Sequence, residues 1–552
     1  VPRTLQHTAA TAGVAAALAV PVTAVSQRLE SADQVSADAI RRHAVALGSD
    51  AFEGRFPGTR GGDLAADYLE RELARIGLEP FGVRGYRQPV PLHGSVPLAD
   101  SRLELWSLGE PRTLGLGDDY LLLTTGSQTL IPRWVPLVFV GYGIVAPEFD
   151  YNDYHDVEVR GKVVVYLAGE PPSDDPSYFG GDRPTVYATS EAKKRIALSR
   201  GARGSLLVPL SRGDEVAAWE RARRMFALED LSLAYALPGH FSAMLHPHLA
   251  RELFRDALYD FDQVRRMVES NTLRSFYLPT SLRFEGRFRT RDVLAPNLVA
   301  LLRGHDPELA ESYVVVSAHY DHLGVDPGLD GDQIYNGVVD NAVGVAGALE
   351  IARVVASLPR PPRRSILLLL TTAEEEGLLG ARYFLDHAPV PLAALVANVN
   401  VDGLAFHDTF DDVIGIGAEL SDLGSMLRRA VRRLELDVSE PPDEMWTAEA
   451  YGRSDQMAFA EAGVPAILVN EGFSWSHSAA RDAVSQSLGW FQTRYHTPSD
   501  DLQQPLDFAA ARLHCQAVLA LVLEVANAPT APEWRPGVPY AYQRLVSLAE
   551  GR

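Results

Sequence analysis

Tyr313-Val-Val-Val-Ser-Ala-His319-Tyr-Asp321-His322-Leu-Gly324, continuing to Asn336-Gly-Val-Val-Asp340-Asn341, is the stretch that decides the fold. Val314 to Val316 form a β-branched apolar run that predicts a buried strand. The run breaks off in three polar residues, His319, Asp321 and His322. A Gly- and Asp-rich loop follows, and Asp340 opens an apolar periodic stretch that predicts a helix. Open α/β sheets carry their chemistry just past the C-terminal ends of buried strands. This stretch therefore reads as the first half of a metal site, with the rest of the chain supplying the other half.

Composition narrows the classes of function. A chain of 552 residues exceeds what one hydrophobic core usually serves, so two or more domains are expected. Its apolar share, 46%, and charged share, 22%, are those of ordinary globular proteins. A formal charge of −21 disfavours nucleic acid and anionic membrane surfaces as partners, because both demand basic patches. Cys515 is the single cysteine, so no intrachain disulfide forms and a zinc site built on several thiolates is excluded. Any metal must be held mainly by imidazole and carboxylate. Cys515 lies in an apolar helix-like stretch and reads as a small core residue.

At the N-terminus, Arg3 and His7 precede an Ala-rich apolar run from Ala9 to Val25, and Ala24-Val25-Ser26 fits a small-x-small cleavage site. The expectation is a signal peptide over 1–26 and a secreted or periplasmic location of the bacterial type. No other segment approaches eighteen consecutive apolar residues, so no stable membrane insertion is expected once the signal is removed.

Outward from the opening stretch, the chain alternates strands and helices from residue 290 onward. Strands are predicted at Leu298–Leu302, Tyr313–Ala318, Ser365–Thr371, Leu395–Val401 and Ala466–Val469, and helices near 341–357, 377–387, 421–435 and 507–526. That alternation predicts an α/β fold: a mainly parallel mixed sheet flanked by helices. Residues 36–80 read as helices interrupted by a turn at Glu53-Gly54-Arg55 and Pro57-Gly58-Thr59, and 81–130 as short strands. Residues 131–287 carry no dense cluster of acids, bases and histidines and read as an inserted β-rich domain. The expected division is 36–130 with 288–528 as one discontinuous domain, 131–287 as the insert, and 529–552, with four prolines, as an extended C-terminal tail. Phosphate-binding loops, serine-hydrolase elbows and His-Glu-x-x-His helices are absent from the sequence.

Five short stretches end a strand or begin a helix with metal-competent residues: His319-Tyr-Asp321, Asp340, Glu374-Glu375, Asp402 and Tyr495-His496-Thr-Pro-Ser-Asp500. One such end means little, since a lone histidine is usually structural and an aspartate at a strand end is often a helix cap. Five in one strand–helix region point to a shared purpose. Two histidines with several carboxylates suit zinc. Paired ions need a bridging carboxylate, and a further unligated carboxylate is needed to move a proton.

With these motifs in place the chain resembles the co-catalytic zinc aminopeptidases of metallopeptidase family twenty-eight, over roughly 36–125 and 290–528. The insert resembles a protease-associated domain, through Phe139-Val-Gly-Tyr-Gly-Ile-Val-Ala-Pro and Gly161-Lys-Val-Val-Val. The resemblance implies two zinc ions per chain. His319 and Asp402 are expected on one, Glu375 and His496 on the other, and Asp340 between them. Glu374 is expected as general base, Tyr495 as oxyanion stabiliser, Asp321 and Asp500 as carboxylates orienting His319 and His496, and Arg453 as a substrate contact. Peptide or protein N-termini are the implied substrates. Val339 and Ala381 depart from the family pattern without touching the ligand set. A carboxypeptidase or dipeptidase of the same family stays open, as does a metal-free binding homologue.

Overall fold

In the computed structural model the described residues are 32–107, 109–126, 129–175, 177–181, 184–210, 215–236, 240–442 and 452–551. The expected signal peptide over 1–26 lies outside them.

The chain enters through helices α1 (Ala37–Leu47) and α2 (Arg60–Ile76). Thr59 caps the start of α2 by accepting the Gly62 N–H, and Gly77 ends it at φ 85°, where a side chain would be strained. A ten-stranded sheet follows among the described residues. Its strands include β1 (Arg87–Pro97), β2 (Asp230–Leu233), β3 (Phe288–Leu302), β4 (Tyr313–His319), β5 (Ser365–Thr371), β6 (Leu395–Asn400), β7 (Asp412–Ile416), β8 (Asp437–Ser439) and β9 (Ala466–Glu471). The spatial order is β2-β1-β3-β5-β4-β6-β9-β7-β8.

The middle of this sheet is parallel: β4 pairs with β5 on one side and β6 on the other, and β6 pairs with β9. Every residue of β4, β5 and β6 is buried, which is why each reads as an unbroken apolar run. Register sets His319 opposite Thr371 and Ser317 opposite Asn400, so β4 and β5 end level and β6 ends two residues earlier. From β4 the chain runs to β5 on one side, and the next connection, from β5, crosses to β6 on the other side of β4. A crevice opens at its C-terminal end.

Helices cover the sheet: α3 (Val343–Ala356), α4 (Leu379–Asp386), α5 (Leu423–Val431), α6 (Gln456–Glu461), α7 (Ala480–Thr493) and α8 (Phe508–Asn527). By length and composition α8 could cross a membrane, yet 67% of its apolar window is buried in the fold. It carries buried Cys515 in the same core as Val314, Leu349 and Val399.

A second, eight-stranded sheet has its own hydrophobic cluster, with Leu103, Phe139, Val165, Phe241 and Phe284 inside it. Its limits differ from the expectation. Strands Arg102–Ser107, Glu110–Leu114 and Tyr120–Leu122, expected with the main sheet, belong here. Conversely β2, expected in the insert, hydrogen-bonds to β1 at the edge of the main sheet. Short alternating strands fit either sheet locally, and only the long-range ladder chooses between them. The C-terminal segment is also not all extended: helix α9 covers Tyr540–Glu550. Pro539 takes the N-cap position, where a missing N–H costs little, and Arg544 ties the helix to the carbonyls of Leu392, Ala393 and Leu395.

Candidate metal centre

The neighbouring strand ends bring the polar stretches together. His319 is the last residue of β4 and is 1% exposed. Asp402 lies two residues past β6, Glu374 and Glu375 sit in the turn after β5, and Asp340 lies in the irregular segment before α3. His496 arrives from the segment after α7.

Asp340 occupies the centre. Its Oδ1 lies 3.3 Å from His319 Nε2, and its Oδ2 lies 3.2 Å from His496 Nε2. His319 Nε2 is also 3.2 Å from Asp402 Oδ1 and 4.0 Å from Glu374 Oε2. On the other side His496 Nε2 is 3.0 Å from Glu375 Oε2. Bonds of about 2.0–2.2 Å around a tetrahedral ion set neighbouring ligand atoms roughly 3.3–3.5 Å apart, close to the separations found here. Ligand atoms of His319, Asp340 and Asp402 all lie within 4.8 Å of one another.

Four carboxylates share this volume, Asp340 and Glu374 buried and Glu375 and Asp402 partly exposed, and the imidazoles answer their charge. Burial pulls the His319 imidazole down, but Glu374, Asp402 and Asp340 outweigh it and hold the ring well above its ordinary value. Burial pushes Asp340 up, and His319 and His496 reverse that, holding it well below the usual carboxylate range. Glu374 goes the other way: burial, with Asp402 and Glu375 nearby, raises it well above that range. Its Oε1, like His322 Nε2, is buried without a hydrogen-bond partner. Crowded acids, two imidazoles and unpartnered donor atoms make a set that divalent cations fit and a plain hydrogen-bond network does not.

The surroundings fix these side chains. Asn341 donates to the carbonyls of His319 and Val401 and accepts the Gly403 N–H, tying β4 to the loop after β6. Asp321 was expected to orient His319. Its carboxylate is 3.9 Å from His319 Nδ1, and it accepts the Glu374 N–H at 3.2 Å. Asp500 was expected to orient His496. Its carboxylate instead accepts the N–H groups of Val339 and Asp340 and the Gln504 amide, so it grips the loop of Asp340. Tyr495 stacks on His496 with ring centroids 3.8 Å apart.

A cavity of about 670 Å³ opens onto the cluster. Asp340, Glu374, Glu375, Asp402, Tyr495, His496 and Arg453 all line it, with Phe406, Ile414, Leu468 and Trp490 forming apolar wall. Asp321 and Asp500 are fully buried beneath.

Three residues received no site role from the sequence. His322 is fully buried, its Nδ1 lies 2.5 Å from Glu375 Oε1, the oxygen other than the one His496 faces, and its ring meets that of His496 edge-on; with Asp340 and Glu375 it forms another group whose ligand atoms lie within 4.8 Å of one another. Its place three residues after His319 was the available signal. Asp455 is buried and accepts Thr371 Oγ1 at the end of β5. Glu376 reaches outward, and its carboxylate accepts the Leu231 N–H of β2, linking the Glu374–Glu375 turn to the edge strand.

A probable zinc metalloprotease of Pyrenophora tritici-repentis is 28% identical over 267 residues, 43% of this chain and 58% of that protein. A probable leucine aminopeptidase 2 of Aspergillus oryzae is 23% identical over 85% of this chain and 79% of its own. An aminopeptidase from Aneurinibacillus sp. strain AM-1 has the same fold, with a TM-score of 0.54 at 16% identity over 92% of this chain and 97% of its own. The expectation of a secreted or periplasmic location is overturned: three fungal relatives are vacuolar membrane proteases, among them one from Schizosaccharomyces japonicus, 25% identical over 51% of this chain and 29% of its own length. The chain thus spans less than two thirds of several curated relatives it matches. The model of peptidase family M28 matches residues 297–522, so the chain carries a domain of that family over the span that holds every residue of the cluster.

Proposed function

We propose that this protein is a zinc-dependent aminopeptidase that hydrolyses the N-terminal peptide bond of peptides. The observation that carries the reading is Asp340, with one carboxylate oxygen facing His319 and the other facing His496. In this reading His319 and Asp402 hold one zinc, Glu375 and His496 the other, and Asp340 both. His496 is chosen over His322 because it lines the cavity, whereas His322 is fully buried and does not. Two zinc ions there would supply Lewis acidity and an acidified water at neutral pH.

The chain's own groups do the rest. Glu374 lines the cavity outside the ligand set, takes the proton of the attacking water and delivers it to the leaving amine. Tyr495 donates a hydrogen bond to the scissile carbonyl oxygen as it gains charge. Glu471, another acid on the cavity wall, offers a counter-charge to the substrate ammonium, which favours exopeptidase action. Arg453 on the same wall supports a second reading, a carboxypeptidase that recognises a substrate carboxylate. The second sheet within residues 102–285, with its separate core and without β2, is assigned to an inserted accessory unit resembling a protease-associated domain.

The test is zinc content of the purified protein together with two substrate panels. Near two zinc per chain with cleavage of free-amine aminoacyl arylamides supports the aminopeptidase. Cleavage confined to N-blocked peptides with a free C-terminus supports the carboxypeptidase. Failure to bind zinc would sink both.

A further inference from the structure

We propose that Arg55 is a positioning residue that holds the metal-ligand loops in shape before any metal binds. The inference rests on the metal centre assigned above. Arg55 is 1% exposed, and its guanidinium sits behind the site. Nε donates to the Tyr320 carbonyl at 2.8 Å, Nη1 to those of Leu47 and Asn336 at 2.8 and 2.5 Å, and Nη2 to that of Gly337 at 2.8 Å. Tyr320 lies between His319 and Asp321. Asn336 and Gly337 lead directly into Asp340.

Neither loop continues a sheet ladder at these points, so its carbonyls need donors from elsewhere. One planar fork supplies four, drawing together the end of α1 and both ligand loops. The charge matters as well. The four contacts all run to carbonyls, while Asp500, Asp321, Asp340 and Glu375 surround the cation at longer range. A buried cation is costly alone, and a nest of buried carboxylates is costly alone. Together each offsets the other while no metal is present.

The backbone gives an independent sign. Glu53, Gly54 and Arg55 take φ values of 47°, 64° and 55°, three successive residues in the left-handed region. Non-glycine residues stay there only where their surroundings over-determine them. At Gly54 a Cβ would meet the Gly324 and Tyr335 carbonyl oxygens at 2.3 and 2.6 Å, so the segment is pressed against the hairpin joining the two ligand loops. Asn336 Nδ2 adds a tie to Asp50 Oδ1 at 3.0 Å. The strain and the close approach both serve to place this guanidinium.

The experiment compares full-length wild type, Arg55→Lys and Arg55→Met. Zinc affinity is measured by competition with a chromophoric chelator, and kcat and KM are measured at saturating zinc. Lysine keeps the charge but has three donors and no planar fork. The expected result is a fall in zinc affinity of about 10–100-fold in both variants, with a lower kcat and little change in KM. A merely structural role would lower stability and leave the affinity of the folded protein alone. Wild-type affinity and kcat in both variants would overturn the inference, and full rescue by lysine would replace positioning with charge alone. Should the variants fail to fold, the chelated wild type decides. The amides of residues 319–322 and 336–341 should keep their hydrogen-exchange protection without metal, and its loss would overturn the inference. Wild type that binds no zinc would instead sink the metal centre itself, and this inference with it.

Discussion

Replacing Asp500 by alanine tests how the central loop is held. Asp500 is fully buried. Its carboxylate oxygens accept the Val339 N–H at 3.0 and 3.1 Å and the Asp340 N–H at 3.0 Å. Alanine leaves both backbone donors buried without an acceptor. Each orphaned group costs about 1–3 kcal/mol, so the loop should lose roughly 2–6 kcal/mol of local stability. At about 1.4 kcal/mol per factor of ten, exchange of these two amides should speed up by roughly 30-fold or more. Asparagine keeps one carbonyl acceptor and should lose about half as much. Hydrogen exchange resolved at Val339 and Asp340 is the assay, and zinc content measured alongside should fall with loop order. Unchanged exchange in Asp500→Ala would show that something else holds the loop, and the role given to Asp500 would be wrong.

Three further outcomes are expected. Glu374→Gln should reduce turnover by about 10²–10⁴-fold while leaving zinc content intact, and near-normal turnover would remove Glu374 from the role of base. His496→Ala should lower zinc per chain on elemental analysis, because Glu375 and Asp340 would keep no imidazole on the cavity side. Undiminished zinc would shift the ligand role to His322. The His477 ring pairs with Asp408 at 2.8 Å, and that hydrogen bond holds its imidazole above the ordinary 6.5. The raised value means the clasp is fully formed below pH 6.5 and weakens as pH rises through the folded-state value. In an NMR titration Asp408→Asn should move the His477 midpoint downward, and an unmoved midpoint would refute the pairing.

The sequence by itself determined the central sheet and most of the site. β4, β5 and β6 are buried on both faces, so their apolar runs stop abruptly where the strands stop. A polar residue at such a boundary, in His319, Glu374 or Asp402, stands out without any knowledge of its neighbours. Local signals of this kind survive folding because burial dictates composition along the strand. Tertiary structure decided which of those groups meet, and it decided the work of residues whose partners lie far along the chain. Asp500 lies four residues after His496 in sequence but grips the amide of Asp340, 160 residues away. Arg55 reads as a turn residue until carbonyls more than 260 residues distant close around it. The strands of 102–122 and β2 went to the sheets opposite to those expected, since a ladder is chosen by its partner strand. What depends on local burial is written along the chain; what depends on the convergence of unpaired backbone groups exists only once distant segments are brought together.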